Sequence, residues 1–366
     1  MNENNKIQQE NISRVLLVGV NVDDNPDFET SMEELESLAD ACEMEVAAKI
    51  EQNLSSPNPA FYIGSGKVRE VQETVELMDL DYVIFDDTLS PSQLKNLQKE
   101  VGVPIMDRTN LILEIFSRRA KTREARLQVE SANLQYMLPR LVGMREALGR
   151  QAGASGSMSN KGTGEKQIEL DRRKIEKRIS ELRRELESIE HDRNTQRKRR
   201  NDSSLPQVAL VGYTNAGKST LMNKMVETYV GKEEKMVMAK DMLFATLDTT
   251  VRKINQNDKK DFLLSDTVGF ISKLPHGLVK AFRSTLEEVR YADLLLQIVD
   301  ASDEHYREHI QVTEETLQEL GAEKIPCIYV MNKADLIMAE EDLPKLDGDK
   351  IFMSARQGIG LQELLQ

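Results

Sequence analysis

A glycine-rich stretch, Gly212-Tyr213-Thr214-Asn215-Ala216-Gly217-Lys218-Ser219, constrains the fold of this chain more than any other feature. It follows the apolar run 207–211, which is typical of a buried strand, and the residues from Ser219 and Thr220 onward favour a helix. Glycines at both ends of the loop allow backbone N–H groups to point inward at the helix N-terminus and bind phosphate. The pattern predicts a phosphate-binding strand–loop–helix unit in which Lys218 contacts the outer phosphates and Ser219 binds Mg²⁺.

A second motif supplies a carboxylate and a glycine for the same ligand. Asp266-Thr267-Val268-Gly269 follows the apolar run 262–264, so Asp266 is expected at the carboxyl end of a strand, where parallel sheets bind ligands. The predicted role of Asp266 is in the Mg²⁺ shell, through a water molecule. Gly269 would allow a backbone N–H to approach the γ-phosphate.

The third and fourth motifs select the base. Asn332-Lys333-Ala334-Asp335 follows the strand-like run 327–331, and a carboxylate at Asp335 accepts hydrogen bonds from both N1 and N2 of guanine. Adenine offers no such pair of donors, so a site of this kind discriminates strongly against it. Lys333 is expected over the base and the glycine loop. In Ser354-Ala355-Arg356, the Ala355 N–H is predicted to contact guanine O6. Four motifs in this order predict a site that binds GTP and hydrolyses it to GDP.

A switch loop is predicted between the first two motifs, in Phe244-Ala245-Thr246-Leu247-Asp248-Thr249-Thr250. Such a loop needs a threonine whose hydroxyl joins the Mg²⁺ shell and whose backbone responds to the γ-phosphate. Thr246 is the first candidate for this role, and Thr249 and Thr250 are the alternatives.

The N-terminal part alternates strand-like and helix-like stretches. The predicted strands are 15–20, 45–50, 61–63, 82–85 and 104–106, and the predicted helices include 31–41 and 67–78. This order predicts an α/β domain with a mostly parallel sheet. The turn Gly64-Ser65-Gly66-Lys67 is interpreted as a helix cap; the alternative, a second phosphate site, would need a fuller motif.

The middle part predicts a long antiparallel helical hairpin. Apolar residues recur at helical spacing over 110–148, a Gly-rich loop follows over 149–164, and a second helix is predicted over 167–193. The second helix carries a coiled-coil stripe of Ile168, Ile175, Ile179, Leu182, Leu186 and Ile189. The net charge is −13, yet this region is rich in Lys and Arg. Because charges more than about 8 Å apart are largely screened, a local RNA contact and a solvated face with ion pairs both remain open.

Four stretches upstream of the glycine loop carry a more specific resemblance. They are 62–68 (YIGSGKV), 89–93 (LSPSQ), 107–116 (DRTNLILEIF) and 162–173 (GTGEKQIELDRR). With the four nucleotide motifs, they make the chain similar to the HflX family of translational GTPases, within the group that includes Obg- and TrmE-like proteins. The resemblance implies binding to the large ribosomal subunit and its RNA, stimulation of GTP hydrolysis there, and splitting or rescue of ribosomes during stress.

The resemblance also implies a division of the chain into three parts. These are an α/β N-terminal domain (1–109), the helical hairpin (110–200) and a P-loop G domain with a Rossmann-like, mostly parallel sheet (201–366). The last helix of the G domain, beginning near Leu361, is expected to be short relative to the family.

Catalysis is predicted to involve Lys218, Thr246, Gly269 and Asn215. Ras-type sites have a water-orienting Gln after the motif glycine, and Phe270 stands there instead. Hydrolysis by the isolated chain is therefore expected to be slow. Related GTPases use an Asn at the Asn215 position to hold K⁺, and the resemblance implies the same here.

The remaining features predict a cytoplasmic protein; a monomer is expected, although no feature of the sequence determines the oligomeric state. The N-terminus is polar, no apolar run reaches membrane-spanning length, and Cys42 and Cys327 are interpreted as reduced core residues. His305 and His309 are interpreted as part of a solvated helix face, because no third metal ligand is evident. DNA is not an expected partner. Two alternatives remain: an NTP-driven RNA remodeller with a second nucleotide site near Gly64, and a non-enzymatic module that only senses GTP.

Overall fold

The computed structural model describes most of the chain. The described backbone covers residues 12–151, 161–201, 205–230, 242–244, 247, 249–255, 260–275, 278 and 282–366, and within it the side chains of 142–151, 161–168, 192–201, 283–285 and 287 are excluded. The chain forms two compact units, Met1–Ile115 with Tyr136–Ile175, and Phe116–Gln135 with Glu176–Gln366.

The first unit contains a four-stranded parallel sheet in the order β2-β1-β3-β4. Its elements are β1 (Arg14–Val22), α1 (Phe28–Ala41), β2 (Glu45–Leu54), α2 (Ser65–Met78), β3 (Tyr82–Phe85), α3 (Pro91–Val101) and β4 (Ile105–Asp107). The central strand β1 is fully buried from Val15 to Val18, as expected for a strand covered on both faces. The predicted α/β layer with a parallel sheet is confirmed.

The predicted strand at 61–63 is wrong. Tyr62 has a φ of 68°, which lies in the left-handed region and cannot continue a strand. Its backbone N–H and C=O instead pair with Asn58, closing a tight loop, and its hydroxyl donates to Asp87. The apolar character of 61–63 therefore reflects burial in a loop.

The turn after this loop has the geometry of a helix cap. Gly64 is the N-cap of α2, with extended backbone, and its N–H donates to Gln52 Oε1 at 2.9 Å. The ammonium of Lys67 lies 2.8 Å from a carboxylate oxygen of Glu70 on the same helix. Both contacts favour the capping interpretation over a second phosphate site.

The middle part is helical, but its first arm is broken. The helices are α4 (Arg108–Arg119), α5 (Arg123–Gln151) and α6 (Lys161–Asn201), so the continuous stretch predicted from residue 110 is interrupted between Arg119 and Arg123. The Thr122 hydroxyl there accepts the Ala125 N–H and starts the next helix. The helices also extend into the predicted loop 149–164, of which residues 152–160 lie outside the described residues.

Ion pairs within the second unit establish the antiparallel arrangement of α5 and α6. Arg178 donates to both carboxylate oxygens of Glu130, at 2.7 and 3.0 Å, and Arg123 contacts Glu185 at 2.8 Å. Residue numbers rise along α5 while those of its partners on α6 fall, so the two helices run in opposite directions. The predicted apolar stripe lies on the less exposed side, with Leu182 fully buried. The side chain of Ile168 lies outside the described residues.

The second unit also contains a seven-stranded sheet in the order β10-β11-β9-β8-β5-β7-β6. Its elements are β5 (Gln207–Val211), α7 (Lys218–Tyr229), β6 (Thr250–Ile254), β7 (Phe262–Asp266), α8 (Arg283–Arg290), β8 (Leu294–Asp300), α9 (Tyr306–Leu320), β9 (Cys327–Asn332), β10 (Lys345–Asp347), β11 (Lys350–Phe352) and α10 (Leu361–Leu364). Five central strands are parallel, and β6 and β10 run antiparallel at the edges. The carboxyl ends of β5, β7, β8 and β9 therefore meet at one edge of the sheet.

The two cysteines form no disulfide. Cys42 is buried, and Cys327 is partly buried in β9, where burial raises the pKa of its thiol to about 11. Among the helices in the described ranges, none combines the length and apolar character needed to cross a membrane.

Candidate guanine-nucleotide site

The glycine loop joins β5 to α7, as predicted, and two of its glycines are required by their neighbours. Gly212 has a φ of 140°, and a Cβ there would clash with the carbonyl oxygen of Ile298 on the adjacent strand. Gly217 has a φ of 99°, and a Cβ there would clash with the amide nitrogen of Asn332. Any side chain at either position would therefore displace the loop or the residue that contacts it.

We expect Gly217→Ala to lower guanine-nucleotide affinity by about 100-fold. The left-handed backbone disfavours alanine, and the new methyl group displaces the Asn332 amide; together these effects cost about 3 kcal/mol. Titration with fluorescent GDP measures the loss. Gly321→Ala is the matched control, because Gly321 has a φ of 72° in the same unit but no heavy atom within 4 Å of the added Cβ. Equal affinities for the two variants would contradict the role of the Asn332 contact.

Lys218 lies inside the loop rather than in solvent. Its side chain is buried, and Nζ donates to the carbonyl oxygens of Gly212 at 3.0 Å and Tyr213 at 2.6 Å. Burial lowers the pKa of Lys218 to about 8, and the nearby carboxylate of Asp266 opposes part of this shift. The loop thus holds an ammonium group in a desolvated position, where its attraction for a phosphate is strong.

Ser219 and Asp266 lie in direct contact. Asp266 ends strand β7 with no exposed surface, and Ser219 Oγ donates to its Oδ2 at 2.7 Å. A hydroxyl and a carboxylate are oxygen ligands of the kind that Mg²⁺ prefers. Thr267, next along the chain, has a structural role, because its buried hydroxyl donates to the Leu210 carbonyl at 2.6 Å.

The segment after Asp266 is hydrogen-bonded to the glycine loop. Thr214 N–H donates to the Phe270 carbonyl at 2.7 Å, and Phe270 N–H donates to the Gly212 carbonyl at 3.1 Å. A Cβ at Gly269 would lie 2.7 Å from Thr214 Cα and 3.0 Å from Lys218 Nζ, so glycine is needed for this approach. Gly269 is therefore placed beside the lysine predicted to bind the outer phosphates.

Asn332 joins the phosphate loop to both base motifs. It ends strand β9, where its Nδ2 donates to the Ala216 carbonyl at 2.9 Å and its Oδ1 accepts the Ala355 N–H at 2.9 Å. Sequence reasoning assigned that N–H to guanine O6, but in this structure its acceptor is Asn332. The contact of Ala355 with guanine stays a prediction. Ser354 is buried beside it, and Arg356 is exposed.

Lys333 has a partner that the sequence reasoning missed. Its Nζ donates to Asp300 Oδ2 at 2.6 Å, and Lys333 itself adopts a φ of 59°. Asp300 ends strand β8, so its place at the carboxyl edge of the sheet was a signal that could have been used. Asp335 lies half-buried in the short 3-10 turn Ala334–Leu336 that follows.

The predicted switch loop is described only in part. Phe244 is buried, and its N–H donates to Thr214 Oγ1 at 2.8 Å, while Leu247 is also buried. Ala245, Thr246 and Asp248 lie outside the described residues, so the role of Thr246 stays a prediction. Thr250, an alternative to it, begins strand β6 and lies opposite Asp266 in the ladder.

The solvated interpretation of His309 is wrong. Its imidazole stacks on the ring of Tyr213, with centroids 3.8 Å apart and planes at 12°, and only 16% of the side chain is exposed. Burial lowers the pKa of His309, although Asp303 and Glu308 oppose the shift. The Tyr213 hydroxyl lies 2.6 Å from Ser272 Oγ and accepts the Ser272 N–H at 2.7 Å. Within the described ranges, no group of three or more candidate ligands forms a metal site, His305 and His309 included.

Comparison with known proteins places this site in a family. Three family models match: "GTP-binding GTPase N-terminal" over residues 29–117, "GTP-binding GTPase Middle Region" over 119–200, and "50S ribosome-binding GTPase" over 207–333. GTPase HflX of Caldanaerobacter subterraneus subsp. tengcongensis is 46% identical over 93% of this chain and 77% of its own length. The chain belongs to the HflX family of GTPases. GTPase HflX of Escherichia coli (strain K12) is 40% identical over 96% of this chain and 81% of its own length.

A solved structure supports the fold assignment over both units. It is described as "crystal structure of SsGBP and GDP complex", and it is 26% identical with a TM-score of 0.50 over 96% of each chain. The architecture, with a P-loop GTPase domain after an α/β N-terminal part, is thus that of an HflX-family protein. The protein is a GTP-binding enzyme that hydrolyses GTP.

Proposed function

We propose that this GTPase binds the large ribosomal subunit and its RNA in a GTP-dependent manner, and that it splits or rescues ribosomes during stress. The proposal includes a cytoplasmic location and a monomeric state. The nucleotide part of the proposal rests on the hydrogen-bonded junction at Asn332, which joins a phosphate loop to two base motifs in a chain of this family. The family description "50S ribosome-binding GTPase" supports the choice of partner.

The phosphate half of the site is assigned to residues already in contact. Loop N–H groups and Lys218 bind the β- and γ-phosphates, and the buried ammonium neutralises charge that develops on them during hydrolysis. Gly269, packed beside Lys218, presents its N–H to the γ-phosphate. The base half is assigned to Asp335, which accepts from guanine N1 and N2, and to Lys333, whose stem covers the base.

Two cations belong to the proposal. Ser219 and Asp266, together with Thr246, would hold Mg²⁺, and the ion would neutralise negative charge on the outer phosphates. K⁺ binding is assigned to Asn215, which has a φ of 59° in the glycine loop, by analogy with its counterparts in related GTPases. Ser219 and Asp266 both offer oxygen atoms, the kind of ligand that Mg²⁺ prefers.

The hairpin supplies the proposed contact with ribosomal RNA. Along the described part of α6, basic side chains pair with nearby carboxylates, including Arg178 with Glu130 and Arg173 with Glu169. Those pairs favour a solvated, self-neutralised face for the stem of the hairpin. The RNA contact is therefore proposed for the tip, 149–164. This segment contains the basic residues Arg150 and Lys161 and no acidic residue.

Deleting 149–164 should weaken ribosome binding at least tenfold and leave GTP affinity within about twofold. The segment contains two basic residues, so the log–log dependence of ribosome affinity on salt should flatten by about 1.4–1.8 if both neutralise phosphates. Cosedimentation with large subunits at several salt concentrations, with a non-hydrolysable GTP analogue or GDP, measures the ribosome affinity and its salt dependence. Titration with fluorescent GDP and competition with GTP measure nucleotide affinity.

A charge-only variant separates the basic side chains from the loop itself. Arg150→Gln with Lys161→Gln should reproduce the change in salt dependence, whereas Lys345→Gln with Lys350→Gln, on the β10–β11 hairpin, should not. Unchanged ribosome affinity after the deletion would show that the hairpin tip is only a spacer.

A further inference from the structure

The side chain of Lys333 is held at its tip by a residue outside the four nucleotide motifs. Its backbone is left-handed, with a φ of 59° and a ψ of 23°, just before the 3-10 turn that contains Asp335. Its Nζ donates to Asp300 Oδ2 at 2.6 Å, and the two side chains are only 28% and 17% exposed. The flexible methylene stem of Lys333 is therefore restrained at both ends and has fewer conformations than that of a fully solvated lysine.

The carboxylate of Asp300 is itself held in place. Its other oxygen, Oδ1, accepts the Ser302 N–H at 3.1 Å and the Ser302 hydroxyl at 2.6 Å. Asp300 lies opposite Asn332 in the parallel ladder of β8 and β9, and the Ala301 N–H donates to the Asn332 carbonyl at 2.8 Å. Both oxygens of Asp300 thus have donors, and the sheet fixes its distance from the residue that precedes Lys333.

We propose that Asp300 is a positioning residue for the base half of the nucleotide site and that it acts through Lys333. By binding the ammonium, it orders the stem of Lys333 before a nucleotide arrives. A side chain with many rotamers lowers affinity when it must be ordered on binding, and an ordered one does not. This inference rests on the assignment of Lys333 to the base in the proposed function.

The direction of the effect separates positioning from simple electrostatics. Removing the charge of Asp300 takes a negative group away from an anionic ligand and leaves the Lys333 ammonium without that partner. Both electrostatic consequences would strengthen nucleotide binding. The guanine base is uncharged, however, and the phosphates lie at the other end of the nucleotide, where salt screens these charges. We therefore expect the loss of order in Lys333 to decide the result, so that binding becomes weaker.

The test compares Asp300→Asn with Asp261→Asn by titration of the full chain with fluorescent GDP. Asp261 pairs with Lys253 at 2.8 Å in the same unit, so its substitution removes the same charge and the same kind of ion pair. Asp300→Asn is expected to lower GDP affinity by about five- to tenfold, the effect of one long side chain that must be ordered on binding. Asp261→Asn is expected to leave GDP affinity within about twofold.

Two further measurements distinguish positioning from general destabilisation. Inorganic pyrophosphate has no base, so its affinity in Asp300→Asn, measured by competition against fluorescent GDP, is expected to equal that of the wild type. Lys333→Met keeps an unbranched stem without the ammonium and is expected to lower GDP affinity by itself. In that background Asp300→Asn is expected to cause no further loss, because the ammonium that it would hold is gone.

Unchanged or tighter GDP binding by a folded Asp300→Asn protein overturns the proposal. An equal loss of pyrophosphate affinity does the same, because it indicates damage to the phosphate loop. An additive loss in the double variant also overturns it, since Asp300 would then act without Lys333. Unchanged GDP affinity in Lys333→Met removes Lys333 from the base site, so failure of the underlying assignment is seen separately.

A second variant keeps the proposal testable if Asp300→Asn does not fold. Ser302→Ala removes a hydroxyl donor from Asp300 Oδ1 and leaves both charges of the ion pair in place. It is expected to lower GDP affinity by about twofold or more, with pyrophosphate affinity unchanged. Wild-type GDP affinity in Ser302→Ala would then overturn the proposal.

Discussion

Asp335→Asn should lower the affinity for GTP by about 10⁴-fold and transfer the preference to xanthosine triphosphate. The carboxylate is predicted to accept hydrogen bonds from guanine N1 and N2, and an amide at this position would oppose an N–H donor against another donor. A site built to pair with a polar group rejects a mismatched ligand by factors of this order. The amide does donate to the xanthine carbonyl, so competition binding with the two triphosphates measures the exchange.

The turn that carries Asp335 makes this change a local one. Ala334 N–H donates to the Met353 carbonyl at 3.1 Å, and Asn332 fixes the start of the turn, so the backbone does not depend on the carboxylate. Asp342→Asn, in the next 3-10 turn, removes the same charge from an exposed position and is the control. A wild-type preference for GTP in Asp335→Asn would remove Asp335 from the base site.

Large ribosomal subunits should raise GTP turnover by about 10³-fold or more over the isolated protein, whose rate is expected on the order of 10⁻⁴ to 10⁻² s⁻¹. The reason is Phe270, which follows Gly269 where a water-orienting Gln would stand. Its side chain is 99% buried and has no polar atom, and its backbone is bonded to Gly212 and Thr214. We therefore expect the missing catalytic contribution to come from a partner or a cation. Turnover with and without large subunits, in K⁺ and in Na⁺, measures both sources.

Two variants separate these contributions. Phe270→Leu keeps an apolar side chain in the buried position and should leave the basal rate of hydrolysis nearly unchanged. Phe270→Ala is less suitable, because it would lower the free energy of unfolding by about 3–5 kcal/mol and could change the rate through partial unfolding. Asn215→Ala should remove the K⁺-dependent part of the rate alone. Rapid hydrolysis by the isolated wild-type protein in Na⁺ would mean that the chain contains a water-orienting group elsewhere.

Local patterns predicted the strands and loops of the site well. The runs 207–211, 262–264 and 327–331 are short and apolar, and each lies in a strand whose carboxyl end leads into a predicted site residue. The glycine loop could also be predicted, because the backbone conformations and close neighbours of Gly212 and Gly217 admit little other than glycine. Burial alone was a poorer guide at 61–63, where apolar residues cover a loop and the positive φ of Tyr62 excludes a strand.

Contacts between distant segments could not be predicted in the same way. The pairing of Lys333 with Asp300, the stacking of Tyr213 on His309 and the contact of Phe116 with Phe244 all join separate elements. Nothing in the spacing of these residues encodes their proximity, because it arises from how helices pack on the sheet. The apparent solvent face of the helix that carries His309 was misassigned for this reason.

The position of Asn332 has a consequence for how the two ends of a nucleotide are bound. Its amide nitrogen contacts the loop that surrounds the phosphates, and its amide oxygen contacts the loop that is predicted to read the base. The free energy of binding the base and the free energy of binding the phosphates are then not additive, because ordering either loop orders part of the other. Guanosine and pyrophosphate, as separate molecules, would bind as positive heterotropic effectors of each other, and the intact nucleotide gains this coupling in a single binding event.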